Sequence, residues 1–354
     1  MKRVGYLYDR ICDIENIKTA ILKASLGKRN RKHVKIVITN LNYYAKKIQD
    51  MLINQEYNPS PYTVKKIYDG TSRKERVIYK PRFYPDQIIH WSLILVIEPI
   101  LMRGMYQHNC GSVPGRGSSY GQKILRNALD NDYKGTKYCL KLDISKFYPS
   151  IDQQLLKNMF RRILKDQKTL GLIDAVIESA ESGLPIGNYT SQWFANFYLQ
   201  DLDHFIKEKL NVQHYVRYVD DLVILGGNKK ILHQVNLQIK SFLEKKNLII
   251  KKNWQVFLVR KRFIDFLGLK FYPGRTTLRK SNALRIRRRI AKIMCKKYLS
   301  FRDACAIISY WGWIKRSNSY LFFKKYFKIS LTKAKGVIRN YAKIRRDSRV
   351  WAAG

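Results

Sequence analysis

A chain of 354 residues is long enough to bury a full core, and a hydrophobic content of 45% fits a globular protein and excludes a disordered one. Its 69 Lys and Arg against 26 Asp and Glu give a formal charge of +43, a self-repulsion that a compact protein tolerates when a polyanion sits on it. Nucleic acid is that polyanion, because phosphates release counterions as Lys and Arg approach; a membrane-binding helix would confine the charge to one segment, and here it runs through the whole chain.

Residues 1–60 have helical, basic patterning, with Lys28, Arg29, Arg31, Lys32 and His33 between helices. Residues 62–84 predict strands around a turn at Asp69-Gly70. A helix is expected from Asp86 to Met102. Its apolar part from Ile88 is shorter than a membrane span and is broken by His90, Glu98 and Pro99, so it reads as a buried core helix and no membrane partner is expected. The glycine-rich loop Gly111-Ser-Val-Pro-Gly-Arg-Gly117 follows. Tyr138 to Ile144 alternates as a strand, Asp152 to Ser182 is helical, and Thr190 to Leu210 is a second amphipathic helix. Tyr215 to Leu225 forms a hairpin of two apolar runs around an acidic turn. A further helix leads to Asn247, with short strands at 248–250, 254–259 and 263–272. From Arg275 onward Lys and Arg outnumber Asp and Glu by 23 to 2 at helical spacing. The fold class is α+β, with a basic helical appendage.

Cys12, Cys110, Cys139, Cys295 and Cys305 are odd in number and contain no CxxC pair, which fits neither a disulfide framework nor a zinc site and points to a reducing cytosol. The N-terminal stretch lacks the apolar segment of a signal peptide.

Asp220 and Asp221 stand at the tip of a hairpin with buried apolar arms. Carboxylates held beside Val219 and Leu222 need a cation. Asp143 ends the apolar strand Tyr-Cys-Leu-Lys-Leu-Asp. If these strands share a sheet, three negative charges meet at one point, a donor set that suits Mg²⁺. Two such ions, roughly 3.5–4 Å apart, stabilise the attacking and leaving oxygens of a phosphoryl displacement. An isolated Asp-Asp is usually only a turn, and a nuclease could use similar acids, so the flanking motifs decide.

The stretch Lys141-Leu-Asp-Ile-Ser-Lys-Phe-Tyr-Pro-Ser-Ile-Asp152, followed by Tyr218-Val-Asp-Asp221, resembles motifs A and C of the reverse transcriptase family. The resemblance runs in order over about residues 60–275. It implies a right-hand polymerase with fingers over 61–137 (holding a palm helix near 86–102), palm over 138–274 (with a fingers insertion near 152–185), thumb over 275–354 and a basic helical segment over 1–60. It implies catalysis by Asp143, Asp220 and Asp221. These three, with Ile144, would form the site for two Mg²⁺ ions, with Mn²⁺ as a substitute. Arg76 (with Pro81) and Arg116 resemble fingers residues that meet a nucleotide. Tyr148 matches the aromatic position beneath the sugar, where a ring excludes a 2′-hydroxyl and selects dNTPs. Phe266-Leu267-Gly268 resembles the primer-gripping hairpin. Trp254 stands where relatives place a Lys, and Lys251 or Lys252 would supply a cation near the leaving pyrophosphate.

The segment Leu184-Pro-Ile186-Gly187-Asn-Tyr-Thr-Ser-Gln192 departs from the Pro-Gln-Gly of group II intron and retron enzymes. Its Ile186-Gly-Asn-x-x-Ser-Gln192 pattern is similar to the signature of diversity-generating retroelement reverse transcriptases, which copy a template-repeat RNA into cDNA with errors at adenines. Trp254-Gln-Val256, Leu278-Arg-Lys-Ser281 and Ser309-Tyr-Trp-Gly312 add to the likeness. The chain is expected to end after the thumb, without a maturase, endonuclease or RNase H domain. The resemblance further implies a partner, a small basic accessory protein that forms a pentamer. Two other readings stay open: a retron or other group II-derived enzyme, and a catalytically silent RNA-binding subunit.

Overall fold

The computed structural model describes residues 3–68 and 75–351, with side chains to residue 343. The turn expected at Asp69-Gly70 lies outside the described residues. Two compact units are present: Met1–Gly121 with Leu140–Val256, and Gln122–Cys139 with Phe257–Gly354.

The first unit opens with helices α1 (Tyr8–Cys12), α2 (Ile14–Ser25), α3 (Lys32–Thr39) and α4 (Leu41–Ile53). Asp13 starts α2 by accepting from the backbone N–H groups of Glu15 and Asn16, which satisfies donors that a helix N-terminus leaves unpaired. Ile17, Ala20, Ile21 and Ala24 recur at helical spacing and form the buried face of α2. Asn16 Nδ2 reaches Ser92 Oγ at 2.8 Å and ties α2 to the central helix. Strands β1 (Thr63–Tyr68) and β2 (Glu75–Lys80) pair antiparallel, with Ile67 opposite Arg76.

The central helix α5 spans Ile88–Arg103. A wider helical turn over Phe83–Gln87 leads directly into it, so the helical segment takes in the expected start at Asp86, whose buried carboxylate accepts from Tyr57 Oη, Ser60 N and Arg82 N. The helix buries Ile88, Ile89, Leu93, Ile94, Val96, Ile97 and Leu101 on almost all sides, each worth about 1.5–3 kcal/mol. His90 is enclosed with them, and burial pushes its pKa down to about 3, so it is neutral there.

Helix α6 (Ser118–Asn131) leads to β3 (Tyr138–Asp143) and the short α7 (Phe147–Ser150). The region expected to be helical from Asp152 to about Ser182 holds two helices, α8 (Gln153–Ile163) and α9 (Gln167–Glu178). The break has a tertiary cause. Val4 N donates to Ile163 O and Lys165 N donates to Val4 O, while Asp166 accepts from the N–H groups of Leu7 and Tyr8. The expected helix from Thr190 to Leu210 is likewise divided, into α10 (Tyr189–Tyr198), α11 (Gln200–His204) and a wider turn over Phe205–Lys209.

Strands β4 (His214–Tyr218) and β5 (Asp221–Gly226) form the hairpin, followed by α12 (Lys229–Glu244) and β6 (Gln255–Leu258). The sheet order is β4-β5-β3-β6. Residues 248–250 are not the expected strand and contribute a single bridge, Ile250 to Ile144.

The second unit contains a three-stranded sheet of β7 (Ile264–Phe266), β8 (Leu269–Tyr272) and β9 (Arg275–Leu278). Strand β9 corrects the expectation that everything from Arg275 is helical: Tyr272 pairs with Arg275 across Pro273-Gly274, and Gly274 supplies φ +66°. Helices α13 (Lys280–Met294), α14 (Phe301–Ile314), α15 (Tyr320–Tyr326) and α16 (Lys328–Trp351) complete it. None of the five cysteines is joined in a disulfide. No helix among the described residues is long and apolar enough to cross a membrane.

Candidate active site

The sheet brings the three acids together. Asp143 is the last residue of β3 and Asp221 the first of β5, its neighbour, and Ile144 N donates to Asp220 O at 3.2 Å. Burial, then the adjacent Asp143 carboxylate, push the Asp220 pKa up to about 6; its own backbone N–H and the Lys251 ammonium pull the other way, and Asp221 adds to the rise. Carboxylates close enough to hinder one another's ionisation are a site that gains from a cation.

Two cations of the chain already face them. Lys251 Nζ lies 2.5 Å from Asp143 Oδ1, and Lys141 Nζ lies 3.3 Å from each oxygen of Asp221. Among the described residues no three His, Cys, Asp or Glu side chains close into a preformed metal cage. The donor set itself, hard oxygens under mutual repulsion at the ends of adjacent strands, fits Mg²⁺. Of the two expected lysines it is Lys251 that reaches the acids; Lys252 is exposed.

The acidic turn is held under strain. Val219, β-branched, sits at φ +57°, and Lys146, just after β3, at φ +43°. Arg217 fixes the turn from below. It is fully buried, its Nη1 donates to Val219 O at 3.0 Å and to Asn196 Oδ1 at 3.2 Å, and its Nε donates to Asp203 Oδ1 at 2.7 Å. Burial opposes its charge, but the Asp203 carboxylate more than offsets this and raises Arg217 above the usual guanidinium range. Tyr215 Oη also donates to Asp203, at 2.7 Å. From above, Gly111 packs against the turn: a Cβ there would lie 2.6 Å from Val219 N. Arg217, Asp203 and Gly111 are absent from the sequence-derived site. The visible signal was an arginine flanked by Val216 and Tyr218 in an apolar strand, a position that requires a buried acid.

Tyr148, on α7, is near enough to Asp220 for that charge to add to burial, and together they push its phenol up to about 12. Its carbonyl accepts from Leu184 N at 2.9 Å, which connects it to the Ile186 segment. Ile186 O accepts from Tyr79 N at 2.8 Å, joining this segment to β2. Gly187, at φ +132°, has room for no side chain, since a Cβ would meet Tyr79 O at 2.1 Å. Gly187 and Gln192 line a cleft of about 850 Å³ with Lys23, Lys28, Arg31 and Lys80.

Arg76 is exposed on β2, and Arg116 Nη1 donates to Tyr106 O at 3.1 Å. Trp254 meets His233 edge-on at 5.9 Å. In the second unit Leu267 (φ +46°) and Gly268 (φ +80°) form the turn between β7 and β8, Phe266 is fully buried, and Gln122 Nε2 donates to Leu267 O at 2.9 Å.

An antiparallel sheet carrying a strand-end carboxylate beside a carboxylate hairpin, embedded in helices, is a right-hand polymerase fold of α+β class. The chain belongs to the reverse transcriptase (RNA-dependent DNA polymerase) family, whose model matches residues 26–271. It is 27% identical over 274 residues to the Retron Ec73 reverse transcriptase of Escherichia coli, covering 72% of this chain and 83% of that one. It is 26% identical over 171 residues to the group II intron-encoded protein LtrA of Lactococcus lactis, covering 46% of this chain but only 28% of LtrA. A telomerase structure from Candida albicans in complex with a telomeric RNA fragment aligns with TM-score 0.48 and 13% identity over 80% of this chain and 62% of that one.

Proposed function

We propose that this chain copies RNA into DNA at a site formed by Asp143, Asp220 and Asp221. The observation that carries the reading is the meeting of the three acids at the ends of adjacent strands, with Asp220 already resisting ionisation. Asp143, Asp220 and the adjoining Ile144 would hold two Mg²⁺ ions, which supply Lewis acidity to the attacking and leaving oxygens. Tyr148 presents a ring beside Asp220, where it excludes a 2′-hydroxyl and selects dNTPs. Lys251 stands where an ammonium offsets charge on the leaving pyrophosphate. The cleft with Lys23, Lys28, Arg31 and Lys80 suits the phosphates of a template, and its Gly187 lets backbone approach closely. Residues 275–354, basic and mostly helical, would act as thumb, with the Phe266-Leu267-Gly268 turn on the primer. Primer extension on RNA with dNTPs and Mg²⁺ tests this: it should be lost in Asp220→Ala/Asp221→Ala, and equal extension by that variant would refute the site.

Within the family, the Ile186-Gly187-Asn188 and Ser191-Gln192 pattern favours a diversity-generating retroelement enzyme, which copies a template-repeat RNA with errors at adenines beside a pentameric basic accessory protein. The likeness to the Ec73 retron enzyme favours the second reading, a retron-type polymerase. Sequencing the cDNA separates them: errors concentrated opposite adenine support the first, uniform accuracy the second.

A further inference from the structure

The turn between β7 and β8 is built against the preference of its own sequence. Phe266 pairs with Leu269, so Leu267 and Gly268 make up the whole loop, and both stand at positive φ, +46° and +80°. That geometry fits the twist of a tight hairpin and is ordinary for an asparagine–glycine pair, but a leucine at positive φ is strained. Three side chains of the second unit, from three helices, hold it there. Gln122 Nε2, on α6, donates to Leu267 O at 2.9 Å, and Asn282 Nδ2, on α13, donates to Gly268 O at 3.1 Å. Trp313, on α14, closes the third side: a Cβ on Gly268 would strike the Cζ3 and Cη2 atoms of its indole. Both amides are buried. Asn282 Oδ1 accepts from Arg285 Nη2 at 3.2 Å, while Gln122 Oε1 is enclosed with no hydrogen-bond partner among the described residues. An apolar side chain of the same length would avoid that unmatched acceptor, which marks the donor on Leu267 O as the reason for a glutamine at this place.

We propose that Gln122, Asn282 and Trp313 are positioning residues that clamp the Leu267–Gly268 turn in its left-handed conformation, so that the half-buried Leu267 is presented to the primer. The inference rests on the reading above that this turn lies on the primer. Each loop carbonyl is engaged by an amide, and the indole blocks the space into which the glycine would otherwise shift. The loop therefore cannot relax toward the negative φ that a leucine prefers. Each member of the clamp acts only through the turn. Its loss affects how a primer is held and leaves the uptake of a nucleotide as it was.

The test is extension of a DNA primer on an RNA template by the full chain in the presence of a heparin trap. Product length then reports a single primer-binding event, and KM for dNTP is measured beside it; circular dichroism checks that each variant is folded. Gln122→Met and Asn282→Leu each remove one donor and keep most of the bulk. Each should shorten the product at least about threefold, as loss of one hydrogen bond predicts, and leave the dNTP KM within about twofold. Gly268→Ala and Trp313→Leu are then combined in a double-mutant cycle. Gly268→Ala should shorten the product about tenfold in the native background, where its methyl meets the indole, and less than about threefold in Trp313→Leu, where that space is open. Native product length in both amide variants, a dNTP KM that rises in step with the shortening, or equal Gly268→Ala losses in the two backgrounds would overturn the clamp. Failure of the primer reading has a separate signature: Leu267→Glu, which sets a negative charge at the presented side chain, would extend as the native chain does.

Discussion

Replacing Arg217 with Met tests what holds the acidic turn in place. Arg217 and Asp203 are both completely enclosed, and the guanidinium contacts both oxygens of Asp203. Methionine fills much of the volume but leaves Asp203 with the single Tyr215 hydroxyl and removes the 3.0 Å donor from Val219 O. Breaking a buried ion pair by removing one partner costs about 3–5 kcal/mol, because a charge is left without compensation. A loss of that size lowers the urea midpoint by roughly 1–2 M. Tryptophan fluorescence is a suitable probe, since Trp193 is 1% exposed in the helix that carries Asn196. Extension should fall at least about tenfold more than the folded fraction does, since a turn displaced by about 1 Å misplaces two carboxylates. Adding Asp203→Asn should recover part of the stability, as no ion then remains buried. A midpoint for Arg217→Met within about 0.3 M of the native one would refute the reasoning, because the pair would then carry no structural weight.

Three more outcomes are expected. Tyr148→Ala should raise ribonucleotide incorporation at least about tenfold relative to dNTPs, measured by single-nucleotide extension, if the ring acts against a 2′-hydroxyl. Ile186→Gln should reduce errors opposite template adenine several-fold, since one added polar contact is worth about 1 kcal/mol of discrimination; an unchanged error spectrum in sequenced cDNA would show that Ile186 only packs. Asp220 has a folded-state pKa raised from 3.8 to about 6, so the folded chain holds its proton more tightly than the unfolded chain. In the metal-free protein its contribution is therefore fully present below about pH 4 and is lost as pH rises through about 6. Urea midpoints of Asp220→Asn should lack this decline between those two pH values.

Elements whose cause is local were legible in the sequence. The hairpin arms from Tyr215 to Leu225, the strand ending at Asp143 and the enclosed helix of Ile88–Arg103 follow from apolar period and turn chemistry, and they locate the acids. What escaped depends on distant partners. Near Leu164 the one local signal is Asp166, which caps α9 by accepting from Thr169 N at 3.3 Å; the break is also held by Val4, Leu7 and Tyr8, more than 150 residues away in sequence. Strand β9 was obscured by its charge, although Pro273-Gly274 before Thr276 and Thr277 is a hairpin signal. Arg217 was legible only as an anomaly, because its acid lies on another helix. Lys141 is ordinary in sequence, and Lys251 is told from Lys252 only by the contact with Asp143 that the fold creates.

The three glycines of the Gly111-to-Gly117 loop differ in what a substitution would encounter. At Gly111 an added methyl would meet the Val219 backbone, so trimming the valine side chain cannot make room. Gly115 has open space around it but holds φ +73°, a conformational rather than steric demand, and Gly117 has nothing within 4 Å and carries neither. A mutational library over this loop would therefore recover side chains freely at 117, asparagine or aspartate at 115 and glycine alone at 111. Position 111 and the acidic turn are thus one steric unit, and neither backbone can be rebuilt without the other.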